Sequence, residues 1–345
     1  MKRLNSLTHS WVAKAAGILF ILCCHLYAQH PNVMVGDTYE ERTAYPNEPS
    51  IVINPKNTDE MIVTTNGPVD NYYYSTDGGA TWNMSGSYSF DLGLWGDPCV
   101  IADTSGNFYF FHLELLWANY TSYEIHCRRL SFAGDALSSP SFIGYNEPKF
   151  QDKEWAAFDP LTNNLYVAWT EFDVYSSASP FDHSRILVSR STDRGITWST
   201  PDDVSQVWGN CVDDDETVEG AVPAIGPDGE VYLTWSGPEG IVFDRSTDYG
   251  ETWLDEDIFV ADNPGGWAFG EGEIMGVYRA DGQCKTACDI SQGVYRGQIY
   301  VVWSDEYNGS DDHDVWVSKS TNGGNSWSDR IRVNDDPPGK MQFFP

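Results

Sequence analysis

Apolar positions along this chain fall in short runs, separated by clusters of Gly, Pro, Asn, Asp and Ser. That punctuation favours strands and tight turns over long helices. Runs such as Tyr72-Tyr73-Tyr74, Ile186-Leu187-Val188, Ile241-Val242-Phe243 and Val315-Trp316-Val317 read as strands. Each is followed at once by the same octet. The copies are Ser75–Trp82, Ser191–Trp198, Ser246–Trp253 and Ser320–Trp327, with the pattern S-T-[DN]-x-G-x-[ST]-W. Four copies in one chain mark an internal repeat.

Each octet position has a physical use. Asp77, Asp193, Asp248 and Asn322 are placed to accept backbone N–H bonds inside a turn. The glycine two residues later takes a positive φ. Trp82, Trp198, Trp253 and Trp327 bury a large ring and anchor the hairpin. Every octet is therefore expected to close a β-hairpin.

A second phrase recurs upstream: an acid, a short apolar strand, a D/N-P or D-G turn, then a strand ending in aromatics. It appears at Glu48–Pro55, Asp97–Asp103, Asp152–Pro160 and Val222–Gly229, and more weakly at Cys288-Asp289-Ile290. Two strands plus a hairpin make one four-stranded propeller blade. Five blades are expected, over about 48–90, 96–140, 152–205, 219–260 and 288–334. The second lacks an octet, and Leu130–Asp135 replaces it. A propeller closes its ring to avoid bare edges. Phe343-Phe344-Pro345 resembles Asn47-Glu48-Pro49, so it reads as the opening of a sixth blade removed by C-terminal truncation. A complete five-bladed ring is the rival.

Composition narrows the class. Aromatics make up 14% of the 345 residues, including 14 Trp and 19 Tyr, which a disordered chain would not carry. The net charge of −31 argues against nucleic acid or an anionic membrane as partner. Residues 1–28 read as a signal peptide: Lys2, Arg3 and Lys14, an apolar run from Ala15 to Cys24, and cleavage near Ala28. A lipid anchor at Cys23 or Cys24 is the alternative. No other segment is suited to cross a bilayer. The chain is thus expected to be secreted, periplasmic or on the cell surface, as a domain over 29–345. Five cysteines remain after cleavage. An exported chain can form disulfides; Cys284 with Cys288, and Cys99 with Cys127, are the candidate pairs. No Cys/His spacing resembles a zinc site.

The octet resembles the Asp-box, or BNR repeat, of the secreted bacterial exo-sialidase superfamily, and the resemblance spans nearly all of residues 40–345. It implies an all-β, six-bladed β-propeller of sialidase type, with a sugar site at the mouth of the central channel and the Asp-boxes structural, on the opposite side. Members hold the substrate carboxylate with three arginines and use a Tyr/Glu pair and an Asp acid/base. The Arg-Ile-Pro phrase of the family is absent from Tyr45-Pro46-Asn47-Glu48-Pro49. Arg190, Arg194 and Arg245 sit in or beside octets. Arg279 and Arg296, in the long 255–296 insertion, remain as candidates to reach the mouth and bind substrate.

The start of each inner strand should bring Glu48, Asp97, Asp152, Glu219 and Asp289 toward one central ring, with Lys153 and Glu154 beside it. Asp97, Asp152 and Glu219 are the candidate catalytic acids, because crowded carboxyls supply a proton donor near neutral pH. Glu48 and Lys153 are candidate substrate contacts. No cofactor is required. Ca²⁺ is a possible ligand of the ring, or of the runs Asp213–Glu216 and Asp311–Asp314. Two functions follow: a sialidase-type glycoside hydrolase acting on a glycan or glycoconjugate, or a non-catalytic propeller that binds glycan or protein.

Overall fold

A computed structural model describes residues 32–35, 47–66, 71–85, 94–115, 123–132, 138–269 and 280–344. The expected leader and Arg279 lie outside them. Among the described residues there is no helix. Five antiparallel sheets of four strands follow one another along the chain. Blade 1 holds Asn47–Ile53, Met61–Asn66, Asn71–Ser75 and Asn83–Ser85. Blade 2 holds Leu94–Ala102, Phe108–Leu115, Tyr123–Leu130 and Ser141–Ile143. Blade 3 holds Phe150–Phe158, Leu165–Phe172, Ser184–Ser191 and Asp202–Asp203. Blade 4 holds Glu219–Ile225, Val231–Gly237, Gly240–Ser246 and Ile258–Ala261. Blade 5 holds Lys285–Cys288, Ile299–Asp305, Asp314–Ser320 and Ile331–Arg332. The first strand of each blade abuts the first strand of the next, from blade 1 through blade 5. The arrangement is a β-propeller with these strands innermost.

The second strands are apolar on both faces because a blade is covered on both sides. All eight residues of Leu165–Phe172 are buried. Leu165, Val167 and Trp169 join a cluster with Tyr109, Phe111 and Ile125 of blade 2. Ala168 joins another with Leu233 and Trp235 of blade 4. Period-2 alternation is lost wherever both faces are dry.

The octets connect third to fourth strands in blades 1, 3, 4 and 5. Asp193 shows the shared geometry: its Oδ1 accepts from Thr197 N at 2.8 Å and its Oδ2 from Thr197 Oγ1 at 2.6 Å. Ser191 Oγ accepts from Gly195 N at 2.8 Å. The last three tryptophans face the preceding blade. Trp198 meets Phe111 edge-on and donates to Ser141 Oγ at 2.9 Å. Trp253 packs with Tyr166 and Ile225, and Trp327 lies edge-on to Phe243. Trp82, in blade 1, instead donates to Gly79 O within its own turn. In blade 2 the replacement segment is described only through Phe132, which packs on Tyr74 and Phe108.

Two expectations are corrected. All five cysteines are free thiols. Cys99 and Cys127 both oppose Phe111 of the intervening strand, so they stand two strand spacings apart, about 9–10 Å. Cys284 and Cys288 are separated along an extended strand, roughly 13 Å by its rise. Neither pair meets disulfide geometry. Blade 5 begins earlier than 288: its inner strand is Lys285–Cys288, and Asp289 occupies the turn after it, with N and O bonded to Gln298 and Gly297. The weak phrase at Cys288 was thus matched one strand-length out of step. Beyond the last strand, Met341 and Phe343 pack on Phe269 and Ala280.

Candidate functional site

The inner strands share a defect near their starts. Their pairing slips between Asn47 and Ser50, Gly96 and Cys99, and Glu219 and Val222, and in blade 3 opposite Ala168–Thr170. At each slip one residue takes positive φ: Glu48 at 47°, Asp97 at 53°, Lys153 at 52° and Gly220 at 77°. A β-bulge re-aims side chains out of the ladder and is common beside active sites. Three of the four are not glycine, so a sparsely populated conformation is held by the surrounding fold. The prolines after Glu48 and Asp97 are the sequence trace of this defect, since proline in a strand belongs at a bulge or edge.

The bulges gather the expected acids, but not as one equivalent ring. Glu48, Asp97 and Lys153 occupy the same structural position, and Asp152 and Glu219 stand one residue earlier. Lys153 Nζ lies 3.2 Å from Glu48 Oε1 and 3.4 Å from Asp97 Oδ2. Asn66 Nδ2 donates to Glu48 Oε2 at 3.2 Å. Lys153 N donates to Asp152 Oδ1 at 3.0 Å. The carboxyls of Glu48 and Asp152 lie close enough to Asp97 to act on its ionisation.

Electrostatics splits these groups. Burial works to raise Asp97, but the Lys153 ammonium and the neighbouring Glu48 and Asp152 carboxyls outweigh it and bring it down to about 2. Burial, then the Asp97 charge, pushes Asp152 well above the usual carboxylate range. Glu154, buried among the same acids, is driven the same way. Glu219 is raised by burial and then by Asp213 and Asp152. Lys153 is held well above its ordinary value by its carboxylate neighbours, against burial. The cluster therefore sets Asp97, favoured as an anion by the Lys153 ammonium, beside carboxyls whose surroundings favour the protonated form. Glu154 and Glu219 are fully buried with little to offset a charge on their oxygens, and an uncompensated buried carboxylate is costly.

Two residues join that the sequence did not mark as partners. Tyr175 Oη donates to Asp213 Oδ2 at 2.7 Å, and Asp213 lies beside Glu219. Both sit on long loops leaving different strands of blades 3 and 4, so no local pattern joins them. Four other acids of the two runs are taken up by protein donors: Asp214 by Asn210, Asp215 by Ala268 N, Asp312 by Gly339 N, and Asp314 by Arg332 and Asn334.

Other candidates fall elsewhere. Inner strands start at the mouth and end at the octet side, because Ile53 opposes Met61, which opposes Ser75. Asp289 is therefore at the far end. Arg296 is there too, donating to Pro227 O at 2.9 Å and pairing with Asp228; it braces the turn of blade 4 and not the mouth. Arg190 and Arg245 reach the octets of the following blades, at Tyr249 O and Gly323 O.

No protein-family model matches this chain, and no curated protein sequence does. Solved structures do. The NanB sialidase of Streptococcus pneumoniae aligns with TM-score 0.56 and 12% identity, over 90% of this chain and 64% of that one. An α-L-arabinofuranosidase of Fusarium graminearum aligns with TM-score 0.55 and 12% identity, over 86% and 82%. An α-L-arabinanase of Penicillium chrysogenum aligns with TM-score 0.50 and 13% identity, over 82% and 80%. At these identities the likeness is one of fold: the chain is a β-propeller of the architecture shared by these proteins.

Proposed function

We propose that this is an exported glycoside hydrolase whose active site is the bulge cluster at the channel mouth. The observation that carries the reading is the gathering of Asp97, Asp152 and Glu219 at adjacent inner-strand bulges around Lys153, where the ammonium lowers Asp97 and burial raises Asp152 and Glu219. Such division assigns an acid and a base within one site. Asp97 and Asp152 act directly on each other's ionisation, which places them closer than two carboxyls flanking a glycosidic bond, about 5–9.5 Å. Those two therefore act as a unit, and Glu219, from the next blade, is the second carboxyl. Glu219 donates the proton to the leaving oxygen. Asp97, kept anionic by Lys153, supports the developing positive charge on the sugar or activates water.

A neutral glycan fits this mouth better than a sialoside. The cation acting most directly on the cluster is Lys153, already engaged with Glu48 and Asp97. An open recess beside blade 4 is lined by Asp215, Glu216, Glu239 and Asp262 with Trp267, a setting that repels an anionic sugar. The sialidase alternative needs arginines at the mouth. The test is hydrolysis of neutral aryl furanosides and pyranosides, and of an aryl sialoside, by the full chain and by Asp97→Asn and Glu219→Gln. Cleavage of a neutral substrate that drops at least about 100-fold in each variant supports the proposal. Cleavage of the sialoside alone overturns the substrate class, and turnover unchanged in both variants overturns the site. Binding of glycan without turnover identifies a non-catalytic propeller.

A further inference from the structure

Blade 2 departs from its sisters at one place. In blades 1 to 4 one residue of the second strand opposes the inner-strand bulge: Thr65, His112, Trp169 and Trp235; in blade 5, whose inner strand pairs without a slip, Trp303 follows the last paired residue, Val302. The three tryptophans are fully buried. His112 is equally buried, and its cross-strand partner is a second buried histidine, His126. Two residues further on in blade 3, Glu171 opposes Arg185 and pairs with it at 2.8 Å. Its counterpart in blade 2, Glu114, opposes another acid, Glu124. Where blade 3 has a tryptophan and an ion pair, blade 2 has two histidines and two glutamates.

Their arrangement is oriented. Ligating atoms of His112, Glu114 and His126 all lie within 4.8 Å of one another, and all three residues are buried. His112 Nδ1 lies 3.2 Å from Leu113 O, leaving Nε2 as the lone-pair nitrogen; Arg128 Nε donates to that Nε2 at 3.3 Å. His126 Nε2 lies 3.2 Å from Glu124 Oε2, so its Nδ1 faces inward. A backbone carbonyl on one imidazole and a carboxylate on the other is the outer pattern that fixes histidines on metals. His126 Nδ1 and Glu114 Oε2 are buried and 2.6 Å apart, an imidazole–carboxylate contact that an ion seated between them would replace. Glu114 Oε1 meets no donor, and a buried polar atom in that condition is rare and requires a reason.

We infer that His112, Glu114 and His126 form a site for one divalent transition-metal ion of zinc type, at the mouth-side end of blade 2. Two imidazoles and a carboxylate match the donor preference of that ion, and three protein ligands leave a position open. The positive group nearest the carboxylate is Arg128, 3.8 Å from Glu114 Oε2; it withdraws as the ion binds. Glu124 is a positioning residue acting through His126. The site is independent of the carboxyl cluster on the axis.

The test uses the full chain without a histidine tag, stripped with chelator and then given Zn²⁺ or Co²⁺ alone. One equivalent is retained per chain after dialysis, and Co²⁺ shows a visible absorption band from a low-symmetry site. Glu114→Gln and His126→Gln each weaken retention by at least about 100-fold, and Glu124→Gln by about 10–100-fold. Arg128→Leu, which keeps all three ligands, tightens it. No stoichiometric uptake by the unsubstituted protein overturns the inference, whatever the folding of the variants. So does uptake that is unchanged in folded Glu114→Gln or Arg128→Leu protein.

Discussion

Single buried carboxyls carry much of the pH response of this protein. Asp244 is fully buried, and burial lifts it to about 7 even though Leu254 N donates to its Oδ1 at 3.0 Å. Its folded value exceeds its unfolded value, so the folded state bears the cost of ionisation. That cost is absent below about pH 4, grows as pH rises, and is complete above about pH 7. Asp244→Asn keeps an acceptor for Leu254 N and removes the charge. It should match the parent near pH 4 and exceed it in stability at pH 8 by on the order of 1–3 kcal/mol; urea midpoints at the two pH values decide. An equal effect at both would mean that Asp244 is not neutral in the fold. The sequence shows Asp244 only as an acid in a strand. Its burial depends on the neighbouring blade, which no local pattern encodes.

At the level of the element, the octet hairpins were legible because their chemistry is local: an Asp, a hydroxyl and a left-handed glycine within a few residues. The inner-strand bulges were less legible. Acids marked the strand starts, but the bulge shifts register by one residue, which places Lys153 and not Asp152 level with Asp97. Blade 5 departs from the phrase because its inner strand, Lys285–Cys288, carries no acid. The octet glycine also does work between blades. Gly324, at φ 89°, lies against the Phe243 ring where a Cβ would overlap it. Gly324→Ala combines left-handed strain with overpacking, for a loss of about 2–4 kcal/mol, read as a lower urea midpoint. A loss below about 1 kcal/mol would show that the interblade contact yields easily. The free thiols make a second prediction for these strands: reducing agent leaves the thermal midpoint unchanged, and a drop would reveal a disulfide.

The whole molecule gathers acids of raised proton affinity around the Asp97–Lys153 ion pair, on a propeller fold legible from the repeat. What the sequence could not show was which acids share a proton, because that depends on loops of blades 3 and 4 meeting at Glu219. Asp152, Glu154 and Glu219 are raised, so their contribution to stability is present below their unfolded values and lost as pH rises through the folded ones. Asp97 is lowered, so its contribution is lost on acidification toward about 2. Stability should peak on the acid side of neutrality, and a thermal-midpoint profile that rises steadily to pH 9 would contradict this. The central claim, that Lys153 keeps Asp97 ionised beside a proton donor, is tested most directly by the pH–rate profile of glycoside cleavage in Lys153→Met. The account predicts slower turnover with the acidic limb moved to higher pH. The same rate and the same limb as the parent would contradict it.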